Sequence, residues 1–179
     1  MKLKTTIILC SLFAMANTPA IAGAAWDIYG GLSFGVGAQT FFTHDNNETR
    51  SAQSFGAMFG VDLPAFRFEA EYNYLNSSDS HANMAFANAY FKVPSTVVKP
   101  YLGVGIGMEF AGKNDKYNAD FDTSAAYQGI FGATIDTPAL PIKFDIEGRA
   151  IYIPDICEIG TDKPDLLHYE GRIKVRYVF

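Results

Sequence analysis

The chain has 179 residues, with 14 basic and 19 acidic side chains, a formal net charge of −5 and 49% hydrophobic residues. Acids and bases are mixed along it, so no basic face is laid out for nucleic acid. Beyond the first residues no apolar run is long enough for a membrane-spanning helix, so a membrane-crossing chain of this kind crosses as strands.

The N-terminus reads as an export signal. Lys2 and Lys4 form a basic start, Thr5 to Ala16 is an apolar stretch too short to span a bilayer, Pro19 breaks it, and Ala20-Ile21-Ala22 supplies a small-x-small cleavage pattern. Residues 1–22 are therefore expected to be a cleaved signal peptide and residues 23–179 a single barrel domain. Leu9 before Cys10 lacks the small residue of a lipoprotein signal. Removal of Cys10 would leave Cys157 alone, with no internal disulfide to form.

The rest of the chain has a period of two. The spacing predicts strands near 25–37, 52–63, 66–75, 82–92, 98–109, 124–136, 141–152 and 167–179. The opening strand sets Asp27, Tyr29, Gly31, Ser33, Gly35 and Gly37 on one face. Phe66, Phe68, Ala70, Tyr72 and Tyr74 alternate with Arg67, Glu69, Glu71 and Asn73. In the fifth strand Leu102, Val104, Ile106 and Met108 oppose Tyr101, Gly103, Gly105, Gly107 and Glu109. Ile142, Phe144, Ile146, Gly148, Ala150 and Tyr152 alternate with Lys143, Asp145, Glu147 and Arg149. The last strand alternates Tyr169, Gly171, Ile173, Val175, Tyr177 and Phe179 with Glu170, Arg172, Lys174 and Arg176.

The connections alternate too. Leu63-Pro64-Ala65, Pro94-Ser95-Thr96-Val97 and Thr137-Pro138-Ala139-Leu140 are short turns, whereas 38–51, 76–81, 110–123 and 153–166 read as longer polar loops. Eight antiparallel strands with short turns at one end and loops at the other give an all-β fold, an up-and-down transmembrane barrel.

Alternation alone fits two barrels of opposite polarity, one with the apolar face inside and one with it outside. Three features favour the membrane polarity. Gly31, Gly35, Gly37, Gly103, Gly105 and Gly107 share the polar face, where a narrow lumen needs small residues beside long ones. Nine acids on that face (Asp27, Asp62, Glu69, Glu71, Glu109, Asp136, Asp145, Glu147, Glu170) meet seven bases (Arg67, Lys92, Lys143, Arg149, Arg172, Lys174, Arg176), and buried charges persist only when paired. Aromatics on the apolar face, Trp26, Phe66, Tyr72, Tyr74, Tyr152, Tyr169, Tyr177 and Phe179, gather near strand ends, where membrane barrels carry their girdles. A structural lumen network of Arg67, Glu69, Glu71, Lys143, Asp145, Glu147, Arg149, Glu170, Arg172, Lys174 and Arg176 is expected.

Chemistry is thin. The histidines are His44, His81 and His168, and none stands in a His-x-Ser pattern within a strand. Ser77, Ser78 and Ser80 near His81 read as loop. Asp115, Asp120 and Asp122 lack the ordered spacing of a calcium loop, and no zinc, phosphate or dinucleotide pattern is present. No catalytic residue, metal or cofactor is expected.

The run Val98-Lys99-Pro100-Tyr101-Leu102-Gly103-Val104-Gly105-Ile106-Gly107 resembles the central strand of small opacity-type, OmpA-like outer-membrane barrels. Trp26-Asp27-Ile28-Tyr29-Gly30-Gly31 is similar to their first strand, and Gly171 to Phe179 to their last. The resemblance implies a place in the bacterial outer membrane among its lipids. It also implies insertion by the barrel-assembly machinery, with Tyr177 and Phe179 in the terminal signal, and a non-enzymatic role as envelope protein, surface antigen or adhesin. Such a barrel would act as a monomer, meeting an extracellular or host ligand through its loops. A narrow porin-like channel and a lipid A-modifying enzyme are the alternatives.

Overall fold

A computed structural model describes residues 26–42, 47–78, 80–93, 98–114, 119–120, 123–137, 140–154 and 165–179. The signal segment, His44, Asp115, Asp122 and Cys157 lie outside the described residues. The barrel strands are β1 (Asp27–Phe42), β2 (Asn47–Asp62), β3 (Phe66–Ser77), β4 (Ser80–Lys92), β5 (Val98–Asn114), β6 (Ser124–Asp136), β7 (Ile142–Ile153) and β8 (Asp165–Val178). Each pairs antiparallel with its neighbour in sequence, and β1 pairs with β8 from Tyr29↔Val178 to Phe42↔Asp165. The sheet closes on itself, so no strand is left with an open edge along the wall. The chain ends are stitched at the seam: the Phe179 N–H donates to the Ile28 carbonyl at 2.9 Å and the Val178 N–H to the Pro141 carbonyl at 2.8 Å.

The strands at one end join through short turns, closed for example by the Leu63 N–H donating to Phe66 O at 2.8 Å. This is the terminal end, because both chain termini of the barrel lie there. The opposite, far end differs from the sequence reading. Within the stretches expected as loops 38–51 and 110–123, residues 38–42, 47–51, 110–114 and 119–120 are strand. β1 and β2 stay paired out to Phe42↔Asn47, and β5 runs to Asn114, with a two-residue bridge to Ala119–Asp120. β3 and β4 turn tightly, pairing as far as Ser77↔Ser80. Backbone pairing with a neighbour continues after the apolar alternation stops. Thr, Ser and Gln satisfy a sheet ladder as well as Val does, and only the hydrophobic signal is lost.

The side-chain polarity is inverted relative to a water-soluble barrel. Leu32, Leu102, Val104, Ile106 and Phe131 point outward with 64–69% of their surface exposed, while Arg67, Asp145, Lys174 and Arg176 are fully buried in the lumen. Aromatic contacts run around this outer wall, including Phe34–Phe55 at 5.1 Å and Phe66–Phe91 at 5.7 Å between ring centroids. An apolar belt of this extent far exceeds the few hundred Å² a soluble monomer exposes. Lipid is the solvent that accepts it, and closure satisfies the backbone within it.

Candidate functional site: a sealed lumen in two layers

The lumen begins at the terminal end with lysine–aspartate pairs. Lys92 bridges to Asp62, Lys99 to Asp136, and Lys143 reaches both Asp27 and Asp62 at 3.3 Å. A cavity of about 170 Å³ opens here, lined by these groups and Trp26.

Deeper in, the charges form one connected network. Arg176 grips Asp145 with Nε at 2.6 Å and Nη2 at 2.9 Å, and Thr134 donates to the same carboxylate. Arg67 reaches Asp145 at 3.3 Å and Glu147 at 3.5 Å while packing against two rings, 3.9 Å from the Tyr90 centroid and 4.5 Å from that of Tyr101. Lys174 sits 2.7 Å from Glu69 and 3.1 Å from Glu147. Arg149 spans Glu147 at 2.6 Å and Glu71 at 2.9 Å, and Arg172 joins Glu71 to Glu170. Phenolic hydroxyls fill the remaining acceptor positions: Tyr29 and Tyr90 each donate to Glu69, and Tyr101 to Glu147, all at 2.7 Å. These charges survive burial because each carboxylate meets several donors and each cation several acceptors.

Glycine makes the mesh possible. A Cβ at Gly35 would collide with Ser54 and the Glu170 carboxylate, and one at Gly105 with Asn88 and Gln128. Both positions face the lumen, where a second side chain would displace a hydrogen-bonded one.

Toward the far end the interior changes character. Glu170 is held by Ser54 at 2.5 Å and by His168 at 3.2 Å, Gln39 donates to Ser80 at 2.7 Å, and Glu109 lies fully buried on the inner face opposite Met84. Among these polar groups Ala52, Leu75, Ala82, Met84, Phe86, Ala126, Ile151, Ile153 and Leu166 form a buried apolar cluster inside the lumen. This plug was not expected, since the charged face was read as charged throughout. Its signal was present in the register: Ile151 and Ile153 continue the positions of Glu147 and Arg149, and Met84 and Phe86 those of Asn88 and Tyr90.

All eleven residues of the expected lumen network lie on the inner face, and the ion pairs above link them. Sequence reasoning missed Lys99, Tyr90, Asn88 and Gln128 as lumen residues; simple counting by twos from Tyr101, Lys92 and Asp136 would have found them. Tyr177 and Phe179 stay on the outer wall, their rings 5.4 Å apart. His81 is not in a loop: it lies within β4, 6.5 Å from the Tyr74 ring, while His168 faces inward from β8. The two are not brought together. Ser80 faces the lumen, and the Ser77 hydroxyl donates to the Ser51 carbonyl at 2.9 Å, so neither supplies His81 with a nucleophile.

This inverted, closed and filled architecture is the fold of the small eight-stranded outer-membrane β-barrels. No protein-family model and no curated protein sequence matches the chain. Among solved structures it is similar to Neisserial surface protein A, at 17% identity and a TM-score of 0.61 over 83% of this chain and 96% of that one. It is also similar to the N-terminal β-barrel domain of Pseudomonas aeruginosa OprF (11% identity, TM-score 0.54, 84% and 99% covered). A third is the outer-membrane enzyme PagL (16%, 0.52, 80% and 97%). At these identities the likeness is one of fold.

Proposed function

We propose that this chain is a non-enzymatic protein of the bacterial outer membrane, an envelope or surface barrel that acts through its far end. One observation carries the reading: an apolar outer belt surrounds a lumen packed with ion pairs and, toward the far end, a buried apolar cluster. Such a body stands in lipid, and apart from the cavity of about 170 Å³ at its terminal end the described interior is packed with side chains. What remains for function is that cavity, the outer wall and the far rim, which in barrels of this topology is the extracellular side.

Three further proposals come with it. The exported chain loses residues 1–22, the barrel-assembly machinery reads the strand ending in Tyr177 and Phe179, and the inserted barrel is a monomer.

The test is folding and display. In detergent the protein is expected to migrate compactly when unheated and to shift on boiling. When expressed with a tag between residues 43 and 46, it is expected to show that tag on intact cells. Recovery in the soluble fraction without detergent would overturn the location. Replacing segments 43–46 and 155–164 is expected to abolish surface binding, and undiminished binding would remove the adhesin role. Stable single-channel conductance in planar bilayers would instead favour a pore. A change in lipid A acylation that His81→Ala abolishes would favour an enzyme.

A further inference from the structure

The terminal mouth of the barrel holds charges that the ion pairs do not exhaust. Asp27, Asp62 and Asp136 line its cavity of about 170 Å³ together with Lys92, Lys99 and Lys143. Trp26, Leu63 and Pro64 border the same space. Lys99 pairs with Asp136 at the opening, where 32% and 17% of their side chains stay exposed. The Oδ2 atom of Asp136 takes the Lys99 ammonium, whereas its Oδ1 is buried and accepts no hydrogen bond from a described residue. A buried acceptor left without a donor is costly. An ammonium carries three donors, and among the described residues Lys99 gives one, to Asp136. An unmet carboxylate oxygen and unused ammonium hydrogens thus stand side by side at an open cavity.

From this pairing we infer that the terminal mouth is a binding site for a free α-amino acid with an aliphatic side chain, its ammonium on Asp136 and its carboxylate on Lys99. The charge balance selects the class. Three aspartates face three lysines, so the lining is formally neutral. A divalent cation would be repelled by the lysines and a phosphate by the aspartates. A ligand with both charges on one carbon offers each to its opposite, as a second ion pair laid head to tail against the first.

The apolar border selects the side chain. Trp26 keeps 51% of its surface exposed, and an aliphatic group in the cavity would cover its ring together with Leu63 and Pro64. The volume selects the size. It lies below the roughly 300–1,000 Å³ of drug-sized clefts, which suits one small molecule and not a folded peptide. The mouth lies where the chain ends meet, on the periplasmic side in barrels of this topology. That placement, though not the binding chemistry, rests on the outer-membrane reading proposed above.

Trp26 is the only tryptophan of the chain, so its emission reports on the cavity directly. The test titrates the folded, detergent-purified full barrel with leucine and follows that emission. Leucine is expected to shift it saturably and to bind about tenfold more tightly than N-acetyl-leucine or leucine amide, each of which lacks one of the two charges. Glycine, with both charges and no side chain, is expected to bind about fivefold more weakly than leucine. Asp136→Asn is expected to weaken leucine and leucine amide about tenfold without weakening N-acetyl-leucine. Lys99→Gln is expected to weaken leucine and N-acetyl-leucine without weakening leucine amide. A variant that merely loosened the mouth would weaken all three alike, and that result would overturn the site. A wild type that binds leucine no better than its single-charge analogues would overturn it too, and this arm needs no variant to fold. Glycine binding as tightly as leucine would overturn the part given to Trp26, Leu63 and Pro64. The heat-dependent gel shift is read on each sample. A wild type that lacks the shift refutes the barrel-in-membrane reading itself, whereas a shifted wild type without a leucine response refutes this site alone.

Discussion

The two halves of the lumen solve the same problem with opposite chemistry. Both must fill a narrow tube without leaving polar atoms unpaired or voids open. The terminal half does it with long charged side chains, whose heads meet near the barrel axis: Lys174 from β8 reaches Glu69 on β3 and Glu147 on β7. The far half does it mostly with Leu75, Met84, Phe86, Ile151, Ile153 and Leu166, which need no partner, around the few buried polar groups Glu109, His168 and Gln39. The difference is one of tolerance. An ion-pair lattice depends on every member, because removing one charge strands its neighbour in a low dielectric. An apolar cluster loses only contacts and transfer energy when trimmed.

The comparison breaks most sharply at Lys174. Lys174→Met leaves Glu69 and Glu147 without their shared cation, and an expected loss of about 3–5 kcal/mol should appear as a lower urea midpoint in detergent or vesicles. In the plug, Ile151→Ala removes buried methylenes and is expected to cost about 2–4 kcal/mol by the same measurement. Equal losses at the two sites would mean that the charged half is no more exacting than the apolar one. At the boundary of pairing and packing, Tyr90→Phe keeps the ring over Arg67 but removes the hydroxyl that donates to Glu69. About 1.5–3 kcal/mol is expected for the lost hydrogen bond to a charged group, with Lys174 and Tyr29 still donating to Glu69. The smallest effect belongs to Ile151→Leu, which keeps volume and is expected to cost under about 1.5 kcal/mol.

Conductance sharpens the same contrast without reference to stability. Two seals lie in series, so thinning the plug by Met84→Ala with Phe86→Ala is expected to leave the barrel non-conducting in planar bilayers. Ion flow from that variant would show that the ionic half does not block water by itself.

Much of the fold was legible because a closed membrane barrel writes its polarity into every second residue. The charged face of β7 and β8 gave Lys143, Asp145, Glu147, Arg149, Glu170, Arg172, Lys174 and Arg176 as a set, and the turn prolines marked the terminal end. The far end was less legible. Residues 38–42 and 47–51 looked like loop because their side chains are polar on both faces, although β1 and β2 hold them in one ladder. The plug was masked for a related reason: Ile151 and Ile153 are apolar like their outward neighbours, so local alternation faded where the strand continued.

What the sequence determined by itself was strand period, the grouping of charges and glycines on one face, and the aromatic ends, since these follow from geometry local to each strand. Which acid meets which base was decided only by tertiary structure. Closure of β1 on β8 and the stagger between strands place Arg172 beside Glu71, a hundred residues earlier. Such neighbours are set by the register summed around the whole barrel, which no single strand encodes.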